Sequence, residues 1–300
     1  LNTTNIFIEL EYFMTNSVQD YRSSIQDYAQ KLIKELQAGG TDGFKDFLKF
    51  SAKFHKYSAN NKMLIKLQMP NATKVASFRK WNELGRSVKK GEKAIRILAP
   101  IFKKSQRPNS QGQMEEKIDG VWFKTVPVFD ISQTEGEAVP TWNIRSELGD
   151  DDQGLYTLLK EKIMARGIQV KEEALNGPLG VSYGGLIKID TTVQDKSSQF
   201  LTLVHEQAHE ILHRGSESKD LSRNDKECQA EATAYIVASH FGLESSVSAE
   251  YLICWGNSEK EFLKNLSAVI KASEEILEML TNQETVSSKT NNEVCVIQAA

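Results

Sequence analysis

The run Phe200-Leu201-Thr202-Leu203-Val204-His205-Glu206-Gln207-Ala208-His209-Glu210-Ile211-Leu212 decides how the second half of the chain folds. Apolar residues lie on both sides of an HExxH sequence, and the spacing predicts a helix from Ser198 to His213. Histidines at i and i+4 project from one helical face, so both imidazoles can reach one ion. Glu206, one residue on, can approach water in an open coordination position without ligating, and is the candidate catalytic base. His213 is a poor third ligand. On a straight helix it lies about 12 Å along the axis from His205, and one ion with bonds of about 2 Å cannot hold both.

The third ligand is expected on the next helix, Asp225–Phe241, closed by Gly242. Glu227 and Glu231 are four residues apart on one of its faces. One would ligate and the other would accept an imidazole N–H and hold its tautomer; spacing does not choose between them. Ala230, Ala232, Ala234, Ile236 and Val237 predict that this helix packs closely. Upstream, Val181–Ile189 is strand-like around Gly184-Gly185 and carries Tyr183, Lys188 and Asp190. An edge strand there could pair with an extended peptide, with Tyr183 as a possible transition-state stabiliser.

Further out, Leu155–Arg166 predicts a helix and Glu259–Leu280 a final long one. In the first half, residues 17–37, a segment from Asp42 and a segment after Ser58 that stops before Pro70 predict three helices. Val75–Phe78, Ala94–Phe102 and Val121–Phe129 predict strands, Arg79–Leu84 a short helix, and the polar residues 103–119 a loop. The whole predicts an α+β chain of two domains. Residues 15–137 would form a small helical plus antiparallel-sheet domain, 138–152 a linker, and 153–282 a mainly helical domain with a small sheet. Residues 1–14 and 283–300 are expected to be a disordered extension and tail, with Met14 as the functional start.

The formal net charge of −3 hides a division. Between Lys45 and Arg107 stand seventeen basic and three acidic residues, a balance of +14; the remainder carries −17. Within or just beyond this block lie Tyr57, Phe78, Trp81, Phe102, Trp122 and Phe123. Positive charge beside aromatic faces suits sequence-independent binding of a single strand; no recognition helix with a dimer motif points to duplex. At 40% apolar residues the chain can build real cores, which excludes a disordered protein. Three cysteines without a CxxC pair give no disulfide framework and predict a reducing, cytoplasmic setting. No apolar run approaches the roughly 18–20 residues that span a bilayer, and no membrane partner is expected.

The segments Tyr57-Ser58-Ala59-Asn60-Asn61-Lys62-Met63-Leu64-Ile65, Phe78-Arg79-Lys80-Trp81, Gly85-Arg86-Ser87-Val88-Lys89-Lys90-Gly91-Glu92-Lys93-Ala94-Ile95, Ile97-Leu98-Ala99-Pro100 and Val128-Phe129-Asp130-Ile131-Ser132-Gln133 occur in an order that resembles the N-terminal domain of ArdC-type antirestriction proteins. The resemblance implies single-stranded-DNA binding, here by Tyr57, Asn61, Lys62, Arg79, Lys80, Trp81, Arg86, Lys89, Lys90, Lys93 and Arg96. It further implies a role in shielding mobile DNA from restriction during plasmid conjugation or phage transfer. The second half is similar to the metallopeptidase domain of such proteins and to the ImmA/IrrE group; Glu210-Ile211-Leu212-His213 after the motif is closer to the latter. That likeness implies Zn2+ held by His205, His209 and Glu227, with Glu231 in support and Glu206 as base. The alternative it leaves is an ImmA-like protease that cleaves a regulatory protein and uses DNA for targeting.

Overall fold

The computed structural model describes residues 3–54, 56–108, 110–111, 113–139, 153–192, 195–215, 218–244, 255 and 258–281, with backbone alone at 3–17, 108, 116 and 119. The linker expected at 138–152 and the tail after residue 282 lie almost wholly outside these residues. The described residues divide into two compact units, one within residues 1–28 and 60–139 and the other within residues 29–59 and 140–293.

Helix α1 spans Thr3–Gln37, so it runs through the segment expected as a separate extension. In the first unit, α3 (Ala59–Gln68) leads to β1 (Val75–Ala76), α4 (Phe78–Glu83), β2 (Arg86–Val88), β3 (Ile95–Pro108), β4 (Met114–Asp130) and β5 (Thr134–Gly136). The strands pair antiparallel, in the orders β1-β4-β3 and β2-β5. Within residues 103–119, expected as a loop, 103–108 and 114–119 instead extend β3 and β4 into a long arm. Lys104 faces Ile118 and Arg107 faces Glu115, with a register shift after Lys103. Exposed on both faces, this arm has no apolar alternation to betray it in the sequence.

Two amide side chains of α3 cover the outer edge of β3. Asn61 donates to the Leu98 carbonyl and accepts from the Leu98 N–H, both at 2.9 Å. Gln68 does the same at Arg96, at 2.8 and 2.9 Å. An open strand edge is a template for unwanted pairing, and these two residues satisfy it. Asp130 ties the other end of the hairpin down by accepting from the N–H groups of Thr73 and Lys74.

In the second unit, α2 (Asp42–Ser51) precedes α5 (Gln153–Ala165), β6 (Gln169–Glu173), β7 (Gly180–Ser182), β8 (Leu186–Asp190), α6 (Lys196–Leu212), α7 (Arg223–Phe241) and α8 (Glu259–Thr281). Residues 29–59 belong here and not with a 15–137 block, because Phe44 of α2 packs on Trp255 and on Phe262 of α8, ring centroids 5.1 and 5.6 Å apart. The sheet order is β6-β8-β7, with β6 and β8 parallel and β7 antiparallel at the edge. Leu159, Ile163, Ile187, Phe200, Leu203, Val204, Val237 and Ile276 form the core between sheet and helices. Burying each such side chain contributes about 1.5–3 kcal/mol. Cys228 on α7 is disulfide-bonded, where the spacing of the cysteines predicts no disulfide; Cys254 and Cys295 lie outside the described residues. No helix among the described residues is long and apolar enough to cross a membrane.

Candidate metal centre

Helix α6 starts at Asp195, whose carboxylate accepts from the Ser198 N–H at 2.8 Å. Phe200, Leu203, Val204 and Ala208 turn into the core. That fixes the helix rotation and leaves His205 and His209 on the face toward α7. Helix α7 is begun by a reciprocal Ser222–Asp225 capping box and ended by Gly242 at φ 68°, the left-handed conformation that glycine adopts without cost.

Across this helix pair, one ligand atom each from His205, His209 and Glu227 lies within 4.8 Å of the other two. The two Nε2 atoms are 3.1 Å apart, and Glu227 Oε2 is 3.3 Å from the first and 3.6 Å from the second. Glu231 Oε2 is 3.1 Å from His205 Nδ1, behind the ring. Glu227 thus lies beside both imidazoles, and Glu231 behind the ring of His205. Burial by itself would lower the His205 imidazole, but bonds to Glu227 and Glu231 outweigh it and raise it to about 9. The same bonds from His205 and His209 hold Glu227 far below the usual carboxylate range. Two imidazole nitrogens and a carboxylate oxygen converging on one point suit a divalent cation of the zinc or manganese kind.

Glu206 is buried, at 7% exposure, and lines the same cleft of about 1670 Å3. Burial pushes its carboxyl up, against the pull of His205 and His209, and it accepts a hydrogen bond from the Ser182 N–H. Strand β7 crosses directly over it. A Cβ on Gly180 would stand 2.6 Å from Thr202 Cγ2 and 2.9 Å from Glu206 Cγ, so only glycine fits there. One turn further on, buried Glu210 accepts from Ser182 Oγ at 2.6 Å, Gly184 N–H at 2.9 Å and Gly185 N–H at 2.8 Å. These two carboxylates of α6 hold the edge strand against the helix. Tyr183 lines the cleft but is 61% exposed, with Lys188 Nζ 5.5 Å from its ring centroid.

Three outlying polar residues join the site, of which the sequence reading reached only His213 and missed Gln229 and Asn265. His213, set aside as a ligand, places its Nδ1 2.9 Å from His209 Nδ1, and Gln229 and Asn265 continue the contact outward. His213 is lowered to about 4, chiefly by burial. The i, i+4 spacing of His209 and His213 was the available signal.

In the first unit, several residues expected to touch DNA are interior. Trp81 is 2% exposed and its indole Nε1–H donates to the Phe129 carbonyl at 2.8 Å. Asn61 is the edge clip described above, and Lys62 is buried. Tyr57, also buried, belongs to the second unit, where it packs edge-on to Phe54. Arg86 is spent on β5, its guanidinium bonding Thr134 and the carbonyls of Gly136 and Glu137. Arg79 and Lys80 pair with Glu83. Lys89, Lys90, Lys93 and Arg96 are exposed, as are Phe102, Trp122 and Phe123 of the β3–β4 arm.

Fold and donor set together define an α+β protein with a two-histidine, one-carboxylate cluster. Residues 22–129 match the family described as the N-terminal domain of anti-restriction factor ArdC. The crystal structures of antirestriction protein ArdC from plasmid R388 share the fold at 17% identity. The metal-free one gives a TM-score of 0.50, covering 85% of this chain and 97% of that one; the Mn(II)-bound one gives 0.51, covering 87% and 99%. Residues 22–129 thus resemble the ArdC N-terminal domain, and the chain shares the fold of the R388 protein. It is also 25% identical over 272 residues to the uncharacterized protein pXO2-81 of Bacillus anthracis, a match covering 75% of this chain and 45% of the other, so the chain spans less than half that relative's length.

Proposed function

We propose that this chain is a single-stranded-DNA-binding antirestriction protein of mobile DNA whose second unit is a zinc-type metallopeptidase. The observation that carries the second part is the convergence of His205, His209 and Glu227 beside buried Glu206. That a protein of similar fold has an Mn(II)-bound structure is in keeping with a divalent cation as the metal.

When bound, the cation supplies Lewis acidity to a carbonyl and to water. The chain's own residues do the rest. Strand β7 offers its outer edge to an extended peptide. Gly180 lets that edge lie close to Glu206. Glu206 takes a proton from the attacking water at its carboxylate and returns it to the leaving amine. Tyr183, on the cleft wall, would stabilise the transition state through its hydroxyl. The cleft and the edge strand favour a protein substrate, and with it the second reading, in which a regulatory protein is cleaved.

For DNA, the support is the ArdC N-terminal match and the exposed surface of the first unit. Lys89, Lys90, Lys93 and Arg96 supply backbone contacts, and the arm supplies rings, with Lys103 Nζ 5.9 Å from the Trp122 ring centroid. Each contacted phosphate releases about 0.7 counterion from a single strand. Affinity for an unstructured oligonucleotide is therefore expected to fall steeply between low and moderate salt, with Lys89→Ala, Lys90→Ala and Lys93→Ala together flattening the slope. A fluorescence-anisotropy titration checks this, and a salt-independent affinity would contradict it.

A further inference from the structure

Behind the donor cluster a file of hydrogen bonds crosses three helices. His209 Nδ1 on α6 is 2.9 Å from His213 Nδ1; His213 Nε2 is 3.0 Å from Gln229 Oε1 on α7; Gln229 Nε2 is 3.0 Å from Asn265 Oδ1 on α8. Gln229 is buried, so its amide has no freedom to serve water instead. The polarity of the file follows link by link. An amide NH2 only donates and an amide oxygen only accepts. Gln229 gives its NH2 to Asn265 and so shows His213 an acceptor. His213 must then carry its proton on Nε2, which leaves its Nδ1 bare. His209 must in turn donate from Nδ1. Its proton is placed away from the cluster, and the lone pair of its Nε2 is directed at His205 Nε2 and Glu227.

Reversing the file would move the His209 proton to Nε2 and remove one donor from the cluster. His205 is fixed differently. Its Nδ1 meets the Glu231 carboxylate, an acceptor only, at 3.1 Å. One imidazole is thus oriented by an anion and the other by a neutral file.

We propose that His213, Gln229 and Asn265 are positioning residues that fix the Nδ1–H tautomer of His209 and thereby its capacity to ligate a divalent cation. The inference rests on the metal reading above. The test is zinc affinity of the full chain, by competition with a chromophoric chelator, together with the visible absorption of the Co2+-loaded protein. His213→Phe keeps a ring but removes the acceptor, and is expected to weaken zinc binding roughly 10–100-fold and to alter the Co2+ bands. His213→Gln, whose carbonyl can still accept from His209, is expected to recover most of that loss. Should His213→Phe fail to fold, Asn265→Leu, at the half-buried outer end of the file, is expected to weaken binding in the same direction. A folded His213→Phe or Asn265→Leu protein with parental zinc affinity and parental Co2+ bands would overturn the proposal. A parent that takes up neither ion would instead overturn the metal reading on which it stands.

Discussion

Glu206→Gln is expected to lower peptide hydrolysis by roughly 100- to 10,000-fold, the usual share of a general base, while divalent-metal binding and DNA binding stay at parental levels. Glutamine keeps the shape of the side chain under Gly180 and Ser182 but cannot take a proton. Glu206 is not among the three donors within 4.8 Å of one another, so the cluster is untouched by the change. Digestion of an unfolded protein by the zinc-loaded chain, followed by mass spectrometry, measures the effect. A Glu206→Gln protein as active as the parent would remove Glu206 from the chemistry. The same variant divides the two biological readings. If it still protects incoming DNA, protection is by coating the strand; if protection is lost with hydrolysis, cleavage of a protein is the operative step.

Trp81→Ala is expected to cost about 3–5 kcal/mol of stability, the range for removing a large buried aromatic. The indole fills the first unit's core at 2% exposure and satisfies the Phe129 carbonyl, which its loss would leave without that donor. A strand-stacking residue would behave in the opposite way, weakening DNA binding with little effect on folding. Trp122, 53% exposed on the arm, is expected to show that second pattern. Its replacement by alanine should weaken oligonucleotide binding by about 1–3 kcal/mol and leave the unfolding midpoint nearly unchanged. Denaturant unfolding and anisotropy on both variants check the pair. A stable Trp81→Ala protein with weakened DNA binding would restore Trp81 to the surface.

These two tryptophans show what the sequence carried and what it did not. Aromatic residues among lysines fit a DNA surface and a core equally well in one dimension, and only packing separates Trp81 from Trp122. Asn61 and Lys62 look like strand contacts by type; Asn61 is in fact used to close a sheet edge 37 residues away. By contrast, α6 and α7 were legible to within about two residues, because their apolar periodicity, caps and closing glycine are local signals. The His205–His209 pair and the two acids on the next helix, Glu227 and Glu231, were legible from i, i+4 spacing alone. Which of the two acids stands with the imidazoles and which behind them was given only by family likeness. The file through Gln229 and Asn265 was not legible, since its members lie on different helices and no spacing rule joins them. Nor was the β3–β4 arm, whose polar tip has the composition of a loop.

The most direct measurement is metal content per chain after equilibrium dialysis against Zn2+, for the parent and for His205→Ala. The parent is expected to retain one equivalent and His205→Ala to lose it. A parent without bound metal, or a His205→Ala protein that keeps the full equivalent, would contradict the assignment of this cluster as a metal centre.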